Sequence, residues 1–463
     1  MMRNKITDFK RFYLIGIGGI GMSALARYFK SNDKAVFGYD RKTSTITDDL
    51  IKEGCKIHFE DKGSDVRKIV SSPEETLVIY TPAVSSSHKE LTYFRENGFV
   101  VYKRAEALGL ITRFMKGLCV AGTHGKTTTS AMLSHILDHS PWKCNAFLGG
   151  ISSNKNSNLI VNKSTDWVVV EADEFDRSFL HLSPFASIVT AMDPDHLDIY
   201  GDAKNFTDGF RQYAMKIDPN GCCVVHEGIN LPSLCDSVTY AIDSDTADYK
   251  ASHIKYIDGV MQFIVNSKSI NHTKFTLQIP GLHNVLNALA CISLLDKIGL
   301  PIQEIQGGLN SFKGVRRRFD IQFKSDNLIY IDDYAHHPEE LRFLIDSLQM
   351  MFPEQEITAI FQPHLYTRTR DFGSEFSEQL SRFDELILLP IYPAREEEIL
   401  GISSEWLLSM VRLKKKQVLN SSRILELMQK KNSGIVVTIG AGDIDRIVAP
   451  LNDILIQNVD AVS

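Results

Sequence analysis

Leu118-Cys119-Val120-Ala121-Gly122-Thr123-His124-Gly125-Lys126-Thr127-Thr128 sets the reading of this chain. The first four residues are apolar and of strand length, as in a strand buried on both faces. Two glycines then make a turn, and helical spacing runs from Thr127 to about Leu137. Turn amides and the Lys126 ammonium at a helix start would cradle a triphosphate, and the Thr127 hydroxyl would ligate Mg²⁺. Val120 stands where the usual first glycine of the eight-residue loop would fall, so this loop is shorter.

Working outward, Trp167–Glu171 and Ser187–Thr190 are two further apolar runs of buried-strand type. Glu171-Ala172-Asp173-Glu174 ends the first run, where ligands bind in open α/β sheets. Glu171 is the first choice for a magnesium ligand there, with Asp173 or Glu174 as substitutes. Asp193-Pro194-Asp195-His196-Leu197-Asp198 closes the next run, and His196 among its acids offers a second cation ligand or a loop-ordering cluster. Short alternating segments from Val238 to Ile279 read as a small antiparallel insertion. Asn284 and Asn287 open the helix after it, able to read a purine edge or to cap the helix.

Toward the N-terminus, Gly16-Ile17-Gly18-Gly19-Ile20-Gly21 follows an apolar strand and opens a helix. Such glycines let backbone amides approach a diphosphate at a helix start. Asp40 ends the next strand, where a ribose-binding acid would sit. Alone, this motif says NAD, but a UDP-sugar has the same phosphate geometry. Toward the C-terminus, Arg316-Arg317-Arg318 is a compact basic run. Asp332-Asp333-Tyr334-Ala335-His336-His337-Pro338 and Phe361-Gln362-Pro363-His364-Leu365-Tyr366-Thr367-Arg368-Thr369-Arg370 each end a strand and open a helix. Loops rich in His, Tyr and Arg on neighbouring strands suit a small substrate carrying a carboxylate.

The expected fold is α/β in three domains. A Rossmann-like domain spans 1–113. A central P-loop-type ATPase domain, with a mainly parallel sheet and the antiparallel insertion, spans 114–314. A second Rossmann-like domain spans 315–463. The 463-residue length agrees with about 150 residues per domain. Lys plus Arg number 51 against 57 Asp plus Glu, a net charge of −6 that gives no global pull toward nucleic acid or anionic membrane. No 18-residue apolar window or secretory h-region is present. Seven cysteines, an odd number without a C-x-x-C pair, suit reduced thiols in the cytoplasm.

GIGGIGMS, GTHGKTTT, EADE, DPDHLD, GLHNVLN, RRRF, DDYAHHP and FQPHLYTRTRD occur in this order along essentially the whole chain. Together they resemble the Mur ligase family. The resemblance implies an ATP-dependent ligase of peptidoglycan precursor synthesis, with UDP-N-acetylmuramate, ATP and L-alanine as substrates and Mg²⁺ or Mn²⁺ as the metal. It implies a monomer or homodimer that needs neither nucleic acid nor membrane.

Residue by residue, the resemblance gives Gly18, Gly19, Ile20, Gly21, Met22, Ser23 and Asp40 to the UDP-sugar. Gly122, Thr123, His124, Gly125, Lys126, Thr127 and Thr128 go to ATP, with Asn284 and Asn287 toward adenine. Thr127, Glu171 and His196 go to metal, and Tyr334, His336, His364 and Arg368 to the amino acid. Lys126, Glu171, His196, His336 and Arg318 carry the chemistry. Family members commonly have arginine where this chain has Leu365, which leaves the substrate carboxylate to Arg368 or Arg370. Three rivals remain: a recycling ligase that adds a peptide to the same nucleotide sugar, an NAD-dependent oxidoreductase, and a nucleotide-binding protein without turnover.

Overall fold

The structure is a computed structural model describing residues 6–460 apart from Ser86, Pro194, Asp195, His196 and Arg395. The expectation for His196 therefore lies outside the described residues. Three sheets organise the described residues. The first is parallel, in the order Lys56–His58, Ala35–Tyr39, Arg11–Ile15, Thr76–Tyr80, Val100–Lys103. Its central strand shows why both faces need helices. Phe12 and Leu14 enter one apolar cluster, while Tyr13 and Ile15 enter another on the opposite face.

The central sheet has ten strands. Lys116–Ala121 lies between Pro184–Val189 and Trp167–Glu171 and runs parallel to both. The chain therefore leaves this strand toward both sides, which creates a topological switch point at its C-terminal end. The turn after Ala121, the acids at Glu171 and the loop after Val189 converge there.

The antiparallel part is narrower than the sequence suggested. Asp236–Ile242 joins Cys222–His226 and Tyr249–Ile257 in parallel. Reversal comes with the two-residue turn Asp258-Gly259, at φ +52° and +83°, that links Tyr249–Ile257 to Val260–Asn266. These strands widen the central sheet itself.

The third sheet has the order Asp320–Lys324, Leu328–Asp333, Gly434–Ile439, Ile357–Phe361, Glu385–Leu388, Lys415–Val418, antiparallel only at its first pair. One expectation needs correction. The strands before the two His-rich loops are not neighbours, because Gly434–Ile439 lies between them. In a parallel sheet, both loops still leave from the same edge.

Three sheets make two compact units. One holds the chain to Ile254 with Gln262–Leu277 and Leu286–Lys313, and the other holds Lys255–Met261, Gln278–Val285 and the chain from Gly314. In the first unit, the first two sheets share one apolar cluster, with Tyr28 against Phe147 at 5.1 Å between ring centroids. Among the described residues, no helix is long and apolar enough to cross a membrane. Burial raises the thiols of Cys119 and Cys222 to about 12, so both stay protonated at neutral pH.

Candidate active site

The phosphate loop is built by its two glycines. Gly122, at φ +128°, has no room for a Cβ, which would collide with Thr190 Oγ1. Gly125, at φ +77°, caps the helix Lys126–His139 in the left-handed region. A Cβ there would stand 2.8 Å from Asn287 Oδ1, so Asn287 lies close against the loop. Asn284 Nδ2 donates to the Pro280 carbonyl at 2.6 Å, just before the helix start.

The loop side chains hold the acids of the neighbouring strand end. Lys126 Nζ donates to both Glu174 oxygens, at 2.8 and 2.7 Å, and to the Gly122 carbonyl at 2.7 Å. Burial opposes the lysine charge, but Glu174, Asp173 and Glu171 outweigh it and hold its pKa above the ordinary value. Burial pushes the Glu174 carboxyl upward against the pull of Lys126. The Thr127 hydroxyl is 3.1 Å from each Glu171 oxygen, and Gly149 N–H donates to Glu171 Oε2 at 3.1 Å. Thr127 and Glu171 thus present hard oxygen donors side by side, the set Mg²⁺ prefers. His124 Nε2 lies 3.8 Å from Asp193 Oδ2. Thr123 is partly exposed and Thr128 is buried.

At the first glycine loop, Gly18 N–H donates to Asp40 Oδ2 at 2.7 Å, so Asp40 already holds one of the amides a diphosphate would seek. Gly19 begins the helix Ile20–Ser31 without a side-chain cap, and Ile20 is exposed. Met22 is buried in the core. The Ser23 hydroxyl donates to the Ile20 carbonyl at 2.9 Å and accepts from Asn158 at 3.1 Å. Both residues serve packing in this state.

Arg104 is a residue that the sequence reading missed. A Cβ on Gly21 would meet its guanidinium at 2.5 Å, and its other end lies 3.7 Å from Asp173 Oδ2. It therefore connects the glycine helix to the acidic motif. No periodicity or motif marks such a pairing.

In the second unit, Arg317 and Arg318 stack on the Tyr334 ring at 5.1 and 4.8 Å. Arg318 lies 3.5 Å from Glu340, and Arg317 Nε donates to buried Asp332 at 3.2 Å. His336 Nδ1 faces the Tyr334 carbonyl at 2.9 Å and Glu340 at 3.2 Å, which leaves Nε2 as its free nitrogen. The ring centroids of His336 and His364 are 5.9 Å apart, and Arg368 is 3.5 Å from His364 Nδ1. Burial lowers His336 against the pull of Glu340. Burial, His336 and Arg368 lower His364 to about 3, so both rings are neutral at physiological pH. Arg368 is buried, whereas exposed Arg370 turns to Asp371 at 2.7 Å. Tyr334, His336, His364 and Arg368 are thus brought together, and Arg370 is not part of the group.

Three family models match in chain order: "Mur ligase family, catalytic domain" over 11–116, "Mur ligase middle domain" over 120–295 and "Mur ligase, glutamate ligase domain" over 317–442. A UDP-N-acetylmuramate–L-alanine ligase of Parabacteroides distasonis is 46% identical over 98% of this chain and 99% of its own. One from Porphyromonas gingivalis is 47% identical over 96% and 99%. The crystal structure of UDP-N-acetylmuramate–alanine ligase from Thermotoga maritima superposes with a TM-score of 0.79 at 28% identity, covering 98% of this chain and all of that one. A phosphate loop set on strand-end acids, a diphosphate-type glycine loop and full-length likeness agree: the chain belongs to the Mur ligase family.

Proposed function

We infer that the protein is an ATP-dependent ligase that joins L-alanine to the lactyl carboxylate of UDP-N-acetylmuramate and yields ADP and phosphate. The observation that carries the ligase chemistry is the phosphate loop whose Lys126 and Thr127 already hold Glu174 and Glu171. The choice of amino acid rests on the activity named for its full-length relatives.

In this reading the sugar carboxylate attacks the γ-phosphate of ATP, giving an acyl phosphate and ADP. The amine of L-alanine then attacks the acyl carbon, and phosphate leaves. Two anions meet in the first step, so cations must offset their repulsion. Lys126 moves from Glu174 to the phosphates, and Arg318 adds charge on the transferred group. Thr127 and Glu171, with His196 from the sequence, hold Mg²⁺ or Mn²⁺, which when bound neutralises phosphate charge. Gly122, Thr123, His124, Gly125 and Thr128 wrap the triphosphate, and Asn287 with Asn284 faces the base. Gly18, Gly19, Ile20 and Gly21 receive the UDP diphosphate beside Asp40, with Met22 and Ser23 behind them.

Arg368 takes the L-alanine carboxylate within the wall of Tyr334 and His364. The amine must be neutral to attack; in this reading His336 Nε2 accepts its proton or only helps to bind the amino acid. The reaction belongs to the cytoplasm, where both nucleotides are found.

Purified protein with UDP-N-acetylmuramate, Mg-ATP and single amino acids should release phosphate with L-alanine. Release with a tripeptide but not with L-alanine would replace this reading by the recycling ligase. Reduction of NAD in place of phosphate release would replace it by the oxidoreductase.

A further inference from the structure

The first sheet carries a polar cluster that none of these roles uses. Asp61 lies just after the strand Lys56–His58, and His88 and Glu90 lie at the start of the helix Lys89–Glu96. One ligand atom from each of the three lies within 4.8 Å of the other two. The His88 side chain is 10% exposed, and among the described residues neither of its ring nitrogens has a hydrogen-bond partner. Its Nε2 stands 3.8 Å from Asp61 Oδ2. That is too long for a hydrogen bond. It is a few tenths of an ångström beyond the roughly 3.4 Å between two ligands of one tetrahedral ion with bonds near 2.0–2.1 Å.

The carboxylates are already aimed by outer hydrogen bonds. Asp61 Oδ1 accepts from Gly63 and Glu90 N–H at 3.1 and 3.2 Å, and Oδ2 accepts from Lys89 N–H at 2.9 Å. Glu90 Oε1 accepts from Lys62 N–H at 2.9 Å, and Oε2 from the Tyr13 hydroxyl at 2.7 Å. Asp61 Oδ2 and Glu90 Oε2 thus keep a second lone pair, while Glu90 Oε1 also faces His58 Nε2 at 3.4 Å. Support of this kind typically orients metal ligands. His58 backs the group, 2.7 Å from the Tyr13 hydroxyl, with its Nδ1 on the Glu60 carbonyl at 2.8 Å.

We propose that Asp61, His88 and Glu90 form a zinc site, with water as the fourth ligand, that clips the loop after Lys56–His58 to the helix Lys89–Glu96. One imidazole and two carboxylates suit a tetrahedral Zn²⁺ ion, whereas Mg²⁺ asks for an octahedron of oxygens. The two carboxylates offset the positive end of the helix they face. Between the strand Thr76–Tyr80 and His88 runs the loop whose Thr81 packs on Gly16. The ion would therefore also brace one wall of the glycine loop.

The test uses untagged full-length protein dialysed against Zn²⁺ with Mg²⁺ in large excess and no nucleotide. Expected are one zinc per chain, a raised Tm, and retention of both in Glu171→Gln. Asp61→Asn and the size-conserving His88→Gln should bind at least ~10-fold more weakly. Circular dichroism shows whether each variant is folded. Absence of zinc from the wild type, undiminished binding by folded His88→Gln, or loss in Glu171→Gln would each overturn the proposal. None of these readouts depends on ligase activity.

Discussion

Replacing Glu174 by Gln should weaken the ligand-free protein and tighten nucleotide binding. The carboxylate is 1% exposed, the Lys126 side chain is 13% exposed, and their shortest contact is 2.7 Å. Removing one partner of such a pair typically costs about 3–5 kcal/mol, because the other charge stays buried. Asp173 and Glu171 also act on Lys126, which places this case near the lower end, at about 3 kcal/mol. With nucleotide bound, the phosphates supply the counter-charge, and most of that penalty disappears. The difference appears as affinity, a gain of roughly 10- to 100-fold at about 1.4 kcal/mol per factor of ten. Calorimetric titration with a non-hydrolysable ATP analogue and Mg²⁺ would measure it. Thermal melts should show a lower Tm without nucleotide and a larger nucleotide-induced rise than in the wild type. A folded Glu174→Gln variant with unchanged or weaker affinity would refute the reasoning and make Glu174 a ligand of nucleotide or metal in its own right.

Lys126→Ala should lower turnover by at least ~10²-fold, as expected for removing one charge-stabilising group. UDP-N-acetylmuramate binding should persist, and loss of both in a folded variant would mean that the two glycine loops are assigned the wrong way round. Gly125→Ala forces a left-handed Cβ against Asn287, so a Tm loss from about 1–2 kcal/mol of strain and a higher KM for ATP are expected. Unchanged values for both would contradict the loop geometry. Acid should destabilise the second unit early. His283, lowered to about 4 chiefly by burial, and His364, lowered to about 3, refuse protons that the unfolded chain accepts below about 6.5. Their contribution is full above that pH and is lost as pH falls toward the folded values, at up to ~1.4 kcal/mol per unit for each. Urea melts between pH 7 and 4 that showed no such slope would contradict the burial of these rings.

Trp167–Glu171 was legible to the residue, because a strand buried on both faces writes itself as an apolar run. The helix after the phosphate loop starts one residue before its expected position, at Lys126, because Gly125 takes the left-handed cap. Asp320–Lys324 and Lys415–Val418 were missed, since short, mostly polar edge strands resemble loop sequence. The place of Gly434–Ile439 between the two His-bearing strands was also hidden, because strand order is settled by crossovers and helix packing and leaves no local trace. At the site, residue types and strand-end positions pointed to Lys126, Glu171, His336 and Arg368. The pairing of Lys126 with Glu174, 48 residues away, and the reach of Arg104 to Asp173 depend on which strand ends the topology brings together. Leu365 shows the same limit. At φ +72° it holds a conformation that side chains rarely adopt, at the turn that presents Arg368, and no propensity scale anticipates a leucine there.

These pairings change what the net charge of −6 implies for binding. In neither unit do these cations form a bare basic patch. Lys126 holds Glu174, Arg104 faces Asp173, and the Gly18 amide holds Asp40. In the second unit, Arg317 holds Asp332 and Arg318 faces Glu340. In the proposed mode, a phosphate that binds at Lys126 replaces an internal acid, so its affinity is a difference between two close-range interactions and not a long-range attraction. Such an exchange leaves little diffuse field for salt to screen, in contrast to binding by an open cationic surface. It also selects by shape. A lone anion can displace one carboxylate, but only a ligand with several correctly spaced anionic groups displaces Glu174 while also engaging Thr127 and the amides of the loop. The acids that lower affinity for small anions thereby raise discrimination in favour of the triphosphate.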